Sequence, residues 1–461
     1  MNGQIKVTVN GEVVYANGGA KLSDILNIDK PCGGHGTCGK CKVRVDGKEV
    51  LACKYIIESE IEVQTYETHE IISSTGIKEG GAVTKNACLA LDIGTTTLAL
   101  ALVSIDEKRV VRTTTATNPQ RAFGADVISR IEYCQNHSPD ALHDVLISKI
   151  NQMIAELDTN ADTMYVSANV TMLHTFFGID CTSIGKAPYT PVFLEGKREN
   201  AEDLGIKGVR EVISLPSIDS FVGADIVAGL NFIGMPSDGK YNLLIDLGTN
   251  AEIVLYSSSS GVATAAAAGP CFEGANISCG MSATKGAIYS FELNYGHASY
   301  KTIADAPPTG ICGTGLIDVI FQLVKNGIID ETGYMDEDYR LAEGVYLSCE
   351  DVRQYQLAKS AVYSAILSLM SIAGVGFEDV EKAYISGGFS TGINIASAAG
   401  TGLFPKELSC KTEVLNNSSL QGTVKYACVG GNVENITKTI KYVDLSSSPY
   451  FSELFINNMA F

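Results

Sequence analysis

The chain has no apolar run approaching the ~18 residues of a membrane-spanning helix, so no transmembrane segment is expected. Its opening residues, Met1-Asn2-Gly3-Gln4-Ile5-Lys6, lack the apolar core of a secretory signal, and a cytoplasmic location is the expectation. No Gly-x4-Gly-Lys-Ser/Thr occurs, which excludes a P-loop nucleotide site. Positive charge is scarce. The 34 Lys and Arg face 52 Asp and Glu, and a net charge of −18 is a poor match to nucleic acid. Neither a membrane nor a nucleic acid is an expected partner. A disulfide framework is not expected either, because thirteen cysteines are an odd number in a long chain without a secretory signal. What remains is a globular composition, 45% hydrophobic and 19% charged, over 461 residues, enough for two to four domains.

Nine of the cysteines are scattered and read as small buried hydrophobes. The other four, Cys32, Cys38, Cys41 and Cys53, follow the pattern Cys-x5-Cys-x2-Cys-x11-Cys. Four thiolates satisfy one 2Fe–2S cluster. The glycines between the first three let the backbone wrap a cluster, and the fourth arrives after the hairpin turn Asp46-Gly47. A structural zinc site is the competing reading, disfavoured by the Gly-rich first loop and the unequal spacing. His35 reads as a solvent-facing loop residue. Around this segment, Ile5, Val7 and Val9 alternate as in a half-buried strand. Asn10-Gly11 is a hairpin signal, and Ser23-Asp24 can cap a short helix running to Ile28. Residues 1–65 therefore form a separate small domain. It is nearly neutral, with Lys30, Lys40, Lys42, Arg44 and Lys54 near the cluster segment as a candidate cationic rim for an acidic electron donor. Residues 66–87 lack any sustained period, accumulate Gly and Ser, and read as a flexible linker.

The large domain, 88–461, is organised around two matching stretches. Ala90-Leu91-Asp92-Ile93-Gly94-Thr95-Thr96-Thr97-Leu98 is an apolar strand, an Asp at its end, a tight Gly/Thr turn and a second apolar strand. Leu243-Leu244-Ile245-Asp246-Leu247-Gly248-Thr249-Asn250-Ala251 repeats that order. Asp92 and Asp246 can hold a hydrated cation. The turns Gly94-Thr95-Thr96 and Gly248-Thr249-Asn250 can bring backbone N–H groups to an anion. Two Gly-Ala-Asp turns, at Asp126 and Asp225, lead into helices, and Asp225 is a candidate for the same cleft. Gly313 and Gly315 open a helix whose N-terminus can meet a nucleotide or simply pack closely. Lone His174 reads as a packing residue, and Glu252 as either a water-polarising or a structural group. A long amphipathic helix over 354–373 leads into a strand over 380–385 and then Ser386-Gly387-Gly388.

Two lobes that present matching phosphate hairpins across a cleft resemble the actin-like (ASKHA) ATPases. In that superfamily a strand followed by Gly-Gly is the adenosine segment, which gives Gly387 and Gly388 the role of admitting adenosine. The N-terminal domain resembles β-grasp 2Fe–2S ferredoxins, and its short gap before the last Cys is similar to the ferredoxin domain of succinate dehydrogenase iron–sulfur subunits. The expected fold is thus an α+β β-grasp ferredoxin domain followed by an α/β, RNase H-like, two-lobed ATPase domain. The whole resembles the reductive activators of corrinoid proteins, on the cluster spacing, both hairpins, Asn118-Pro119-Gln120, the Gly-Ala-Asp turns, Cys312-Gly313-Thr314-Gly315 and Ser386-Gly387-Gly388. The resemblance implies an ATP-hydrolysing iron–sulfur activase that reduces inactive Co(II) corrinoid protein to Co(I) for methyl transfer or O-demethylation. It implies three cofactors: a 2Fe–2S cluster on the four cysteines, ATP, and Mg²⁺ held through water by Asp92 and Asp246. The electron donor would be a low-potential ferredoxin, flavodoxin or reductase. Monomer and homodimer both stay open. The alternative is an activator of a 2-hydroxyacyl-CoA dehydratase-like enzyme, for which Cys279 and Cys312 would ligate a cluster at a dimer interface. A sugar kinase needs no cluster, and a redox sensor with a degenerate nucleotide site would not keep Asp92 and Asp246.

Overall fold

The computed structural model describes residues 4–26, 28, 34, 36, 41–65, 77–80, 86–159, 161–388 and 392–461. The N-terminal domain contains β1 (Gln4–Val9), β2 (Glu12–Asn17), β3 (Lys42–Val45), β4 (Lys48–Leu51) and β5 (Ile61–Thr65) in one sheet of order β2-β1-β5-β3-β4. Asn10 and Gly11 both take positive φ in the β1–β2 turn, as do Asp46 and Gly47 in the β3–β4 turn, which is why those dipeptides mark hairpins. β1 and β5 pair in parallel at the sheet centre, and Val7, Leu22, Val43, Ile57 and Val63 form the core beneath. In place of a helix running to Ile28, the chain makes a single 3₁₀ turn, Leu22–Asp24. Its backbone is instead tied to the last segment of the domain: Leu22 N–H donates to the Tyr55 carbonyl and Ser23 N–H to that of Ala52.

Part of the expected linker is docked. Ile77 packs against the apolar cluster around Ala99 and Val110, and Gly80 N–H donates to the Val110 carbonyl at 3.2 Å. The Thr113 N–H and hydroxyl both donate to Glu79. Residues 66–76 and 81–85 lie outside the described residues.

The first lobe carries β6 (Ala87–Ile93), β7 (Thr97–Ser104), β8 (Arg109–Thr117), α1 (Val127–Asn136), α2 (Asp140–Leu157), β9 (Thr163–Ala168), α3 (Val170–Phe176), β10 (Arg198–Asn200), β11 (Glu211–Ser214) and α4 (Ala224–Ile233). Its sheet order is β10-β11-β9-β6-β7-β8. The second lobe has β12 (Tyr241–Leu247), β13 (Ala251–Tyr256), β14 (Gly261–Ala266), the side sheet β15 (Ala287–Asn294), β16 (His297–Thr302) and β17 (Gly310–Ile311), then α5 (Gly313–Lys325). The small hairpin β18 (Tyr339–Ala342) and β19 (Val345–Leu347) precedes α6 (Cys349–Ala373). The lobe ends with β20 (Val380–Ser386), α7 (Ile395–Gly400), β21 (Thr412–Val414), α8 (Ser418–Val429), α9 (Val433–Thr439), β22 (Ile440–Tyr442) and α10 (Pro449–Asn457). Its main sheet has the order β21-β20-β12-β13-β14-β22. In each lobe an antiparallel three-strand meander is extended by parallel strands on the side of its first strand. β6 and β12 are therefore equivalent central strands, buried on both faces and mostly apolar, with an Asp near the end of each and one further polar residue, the buried Asn242, in β12. Both Asp residues consequently emerge at the same edge of their sheets.

The lobes meet at α4 and α8. Gly422 of α8 lies where a Cβ would sit 1.8 Å from the Ala228 carbonyl of α4, so only glycine permits this crossing. A shared core joins Leu91, Leu100 and Val166 of the first lobe to Leu244, Val254 and Tyr384 of the second. Among the described residues α6 alone is long and apolar enough to cross a membrane, and its most apolar stretch is 67% buried inside the second lobe.

Candidate functional site

The β6–β7 turn closes with Gly94 N–H donating to the Thr97 carbonyl at 2.9 Å, and the β12–β13 turn with Gly248 N–H donating to that of Asn250 at 2.9 Å. The first turn is held from behind. Asn118 N–H donates to the Thr96 carbonyl at 2.9 Å, and the Asn118 amide to that of Gly94 at 2.8 Å. Asn169, the N-cap of α3, donates to the Thr95 hydroxyl at 3.2 Å.

Arg130 is fully buried and donates to the carbonyls of Thr95 (2.5 Å) and Gly124 (2.9 Å). Burial pushes its pKa down to about 9, with the nearby Arg121 charge adding to the effect, and Asp126 and Glu273 oppose it. The residue still carries its charge at neutral pH. Sequence reading passed over Arg130, because an Arg in an amphipathic helix ordinarily faces water. Its only signal was a position four residues after Asp126, the α1 start signal.

Asp92, Asp225 and Asp246 converge. Ser419 donates to Asp92 at 2.7 Å. Ser386 hydrogen-bonds Asp246 and is itself 2.7 Å from the Ser418 hydroxyl, so the start of α8 supports both aspartates. Burial is the main reason all three carboxyls are raised, Asp92 and Asp246 to about 6 and Asp225 to about 7. Asp92 and Asp225 also feel the charge of Asp246, and Asp225 that of Asp92. Glu252 is raised well above its usual value by burial and by Asp225 and Asp246. The four side chains remain partly open to solvent. Among the described residues no three of these carboxylates form a ready-made set of direct metal ligands; what the arrangement does show is acidic groups close enough to raise one another's pKa.

The two Gly-Ala-Asp turns diverge in role. Asp126 caps α1 through Ser129, whereas Asp225 sits in the first turn of α4 within the carboxylate cluster. His174 is a packing residue, as its sequence context indicated. Its ring accepts from the Val192 N–H and its other nitrogen binds the Val170 carbonyl, with burial holding its pKa low.

Gly387 has φ +116°, and a Cβ there would stand 2.0 Å from the Leu247 carbonyl, so the Gly-Gly segment is pressed onto the second hairpin. Gly388 is exposed, with open space where a side chain would be, which suits a bulky ligand beside it. Phe389 and Ser390 lie outside the described residues. Of the two readings of Gly313 and Gly315, the structure displays the packing one. Both are buried, and a Cβ on Gly315 would lie 2.1 Å from the Ile288 carbonyl, so this glycine allows close packing of α5 on β15. The Cys312 thiol bonds that same carbonyl at 3.3 Å and is buried, which leaves it no free face for a cluster at a dimer interface.

Glu273, also missed from sequence, joins the two hairpins. Thr249 donates to one of its oxygens at 2.5 Å, and Thr96 Oγ1 lies 3.5 Å from the other.

In the N-terminal domain Cys41 and Cys53 are buried with their sulfurs 3.2 Å apart. A Cβ on Gly34 would lie 3.8 Å from Cys53 Cβ, and one on Gly36 would overlap Lys54, so this part of the glycine loop lies against the Cys53 segment. Two buried thiols converging under a glycine loop fit an iron–sulfur donor set. Cys32 and Cys38, with Lys30, His35 and Lys40, lie outside the described residues. Of the expected cationic rim, Lys42 is paired with Glu49 at 2.7 Å.

Comparison with known proteins agrees with this layout. Residues 87–238 match the model of the RACo middle region, and residues 240–461 that of the C-terminal ASKHA domain of RACo. The corrinoid activation enzyme RamQ of Eubacterium limosum is 29% identical over 419 residues, covering 81% of this chain and 70% of the relative. A Co(II) methylated-amine-specific corrinoid protein reductase of Methanosarcina barkeri is 25% identical over 69% of this chain and 65% of its own length. The solved structure of a reductive activator for a corrinoid, iron–sulfur protein superposes over 99% of this chain and 98% of its own, with a TM-score of 0.73 and 26% identity. With both regions of RACo matched in order and the whole chain superposing on an activator, the chain belongs to the RACo family of reductive activators.

Proposed function

We propose that the protein is an ATP-dependent reductive activator that returns an inactive Co(II) corrinoid protein to Co(I). The observation that carries this reading is the superposition of the whole chain, N-terminal domain included, on a reductive activator for a corrinoid, iron–sulfur protein. Cys32, Cys38, Cys41 and Cys53 would hold a 2Fe–2S cluster. When bound, such a cluster supplies a one-electron carrier, which matches the one-electron gap between Co(II) and Co(I). A low-potential ferredoxin, flavodoxin or reductase is the proposed donor, and the cytoplasm the proposed location.

In the large domain the Gly94–Thr96 and Gly248–Asn250 turns would bind the phosphates of ATP, with Gly388 leaving room for adenosine. Asp92 and Asp246 would hold Mg²⁺ through water, and Asp225 would join them in orienting water for hydrolysis. Their raised pKa values, due mainly to burial and for Asp92 and Asp225 also to neighbouring carboxylate charge, are consistent with this role, because a divalent cation would stabilise the ionised forms. Asn118, Arg130 and Asn169 keep the first turn in place, so that phosphate binding needs little reorganisation. Cobalt(I) lies uphill of ordinary donors, and each 59 mV of a one-electron gap is about tenfold in equilibrium. Coupling to ATP is therefore the physical reason for the fused domain.

The test is the full chain with a low-potential reductant, Mg²⁺ and a cognate Co(II) corrinoid protein. The corrinoid spectrum should change to that of Co(I) with ATP and remain that of Co(II) without it. Failure with every corrinoid protein of the same organism, alongside ATP-dependent reduction of an acyl-CoA dehydratase, would replace this reading.

A further inference from the structure

Glu273 ends a 3₁₀ turn, Pro270–Glu273, that follows β14. Cys271 and Phe272 anchor that turn at 3% and 1% exposure, and Phe272 packs edge-on against Tyr355 of α6 with ring centroids 5.9 Å apart. The carboxylate is thereby fixed in the second lobe, yet its two oxygens address hydroxyls from both hairpins. Thr249 of its own lobe is bonded at 2.5 Å, and Thr96 of the opposite lobe stands at 3.5 Å. Arg130, buried behind the first hairpin, lies within the field of the same carboxylate. An acidic side chain thus occupies donors that, on the reading above, belong to phosphate.

A hydroxyl has one proton to give. The Thr249 O–H can point at Glu273 or at a phosphate oxygen, but not at both. Two anions drawn to one pair of donors also repel each other in a cleft of reduced dielectric. We propose that Glu273 sets the nucleotide preference of the site: it stands in for the terminal phosphate when none is bound, and the γ-phosphate of ATP, unlike ADP, must displace it. After hydrolysis and loss of phosphate the carboxylate recovers Thr249 and Thr96, which favours the state with ADP or no nucleotide. Because the turn is rooted beside α6, displacement of Glu273 presses on the core of the second lobe, so the distinction between ATP and ADP is registered where the lobes are built.

This inference rests on the hairpins being the phosphate site, and two variants of the full chain separate it from that premise. Thr249→Ala should weaken binding of both ATP and ADP, and unchanged binding of both would remove the hairpin from the site and the inference with it. Glu273→Gln keeps the shape and removes the charge. Binding of the non-hydrolysable β,γ-imido analogue of ATP should tighten about tenfold, the scale of one relieved like-charge contact, while ADP binding changes by less than about twofold. Calorimetric titration with Mg²⁺ reads both constants, and an unchanged melting temperature confirms that the variant folds. An equal shift for the two nucleotides, or no shift, overturns the proposal. So does weaker binding of the ATP analogue, which would make Glu273 part of the metal site.

Discussion

Replacing Asp225 by Asn should make the nucleotide-free protein more stable, an unusual outcome for a residue proposed to act in hydrolysis. The carboxyl is pushed from 3.8 up to about 7 by burial and by Asp246 and Asp92. Between those two values the native state binds more protons than the unfolded chain, so stability falls as pH rises through that window and the full penalty is present above pH 7. At 1.36 kcal/mol for each tenfold change the ceiling is about 4 kcal/mol. Asp225 remains partly open to water, and Asn must itself be desolvated, so about 1–2 kcal/mol is the expected gain at pH 7.5. For a domain of this size that is a rise of about 1–3 °C in the melting temperature. The assay is thermal unfolding between pH 5 and 8, following the transition that moves on addition of ATP and Mg²⁺, since a multidomain chain has more than one. The parent transition should climb as pH falls from 8 to 5, and the variant should show a flatter profile and a smaller gain from Mg²⁺ and ATP. A variant less stable than the parent at pH 7.5, or one with the parent's pH slope, would refute the argument that burial and the neighbouring carboxylates penalise the Asp225 charge.

Cys53→Ser should remove the visible absorption of an iron–sulfur cluster while leaving ATP affinity within about twofold, because Cys53 pairs with Cys41 inside a core of its own; a normal cluster spectrum would show that Cys53 is not a ligand. Gly387→Ala forces a Cβ into the Leu247 carbonyl at positive φ. It should destabilise the large domain by about 1–3 kcal/mol and weaken ATP binding more than Cys53→Ser does, as read by urea unfolding and nucleotide titration. Arg130→Met removes a buried cation that holds the Thr95 carbonyl. The carbonyls of Thr95 and Gly124 lose their donor, so a loss of about 2–4 kcal/mol with weakened ATP binding is expected, and a stable variant with normal affinity would make Arg130 dispensable to the first hairpin.

The repeated elements were legible in the sequence because they depend on local chemistry. Two buried central strands need uninterrupted apolar runs, so an Asp at the end of each stands out, and tight turns need Gly94 and Gly248 whatever surrounds them. The helix opened by Gly313 and the long one expected over 354–373 appear as α5 and α6, and Cys41 and Cys53 stood out by spacing alone. What spacing cannot convey is which residues from distant segments share one volume. Asp126 and Asp225 sit in the same Gly-Ala-Asp motif, yet one caps a helix and the other joins a carboxylate cluster, because only α4 begins at the cleft. That Gly315 lets α5 press on the Ile288 carbonyl could be seen only once β15 stood beside it. Ser386, Ser418 and Ser419 gained their place by converging on Asp246 and Asp92 from segments far along the chain. Arg130 and Glu273 are the clearest cases. Arg130 has charged neighbours close in sequence, Arg121 and Asp126, but its burial and its approach to Glu273 arise only when the chain folds and the two lobes come together, since the energy of a charge depends on what stands within a few ångströms of it.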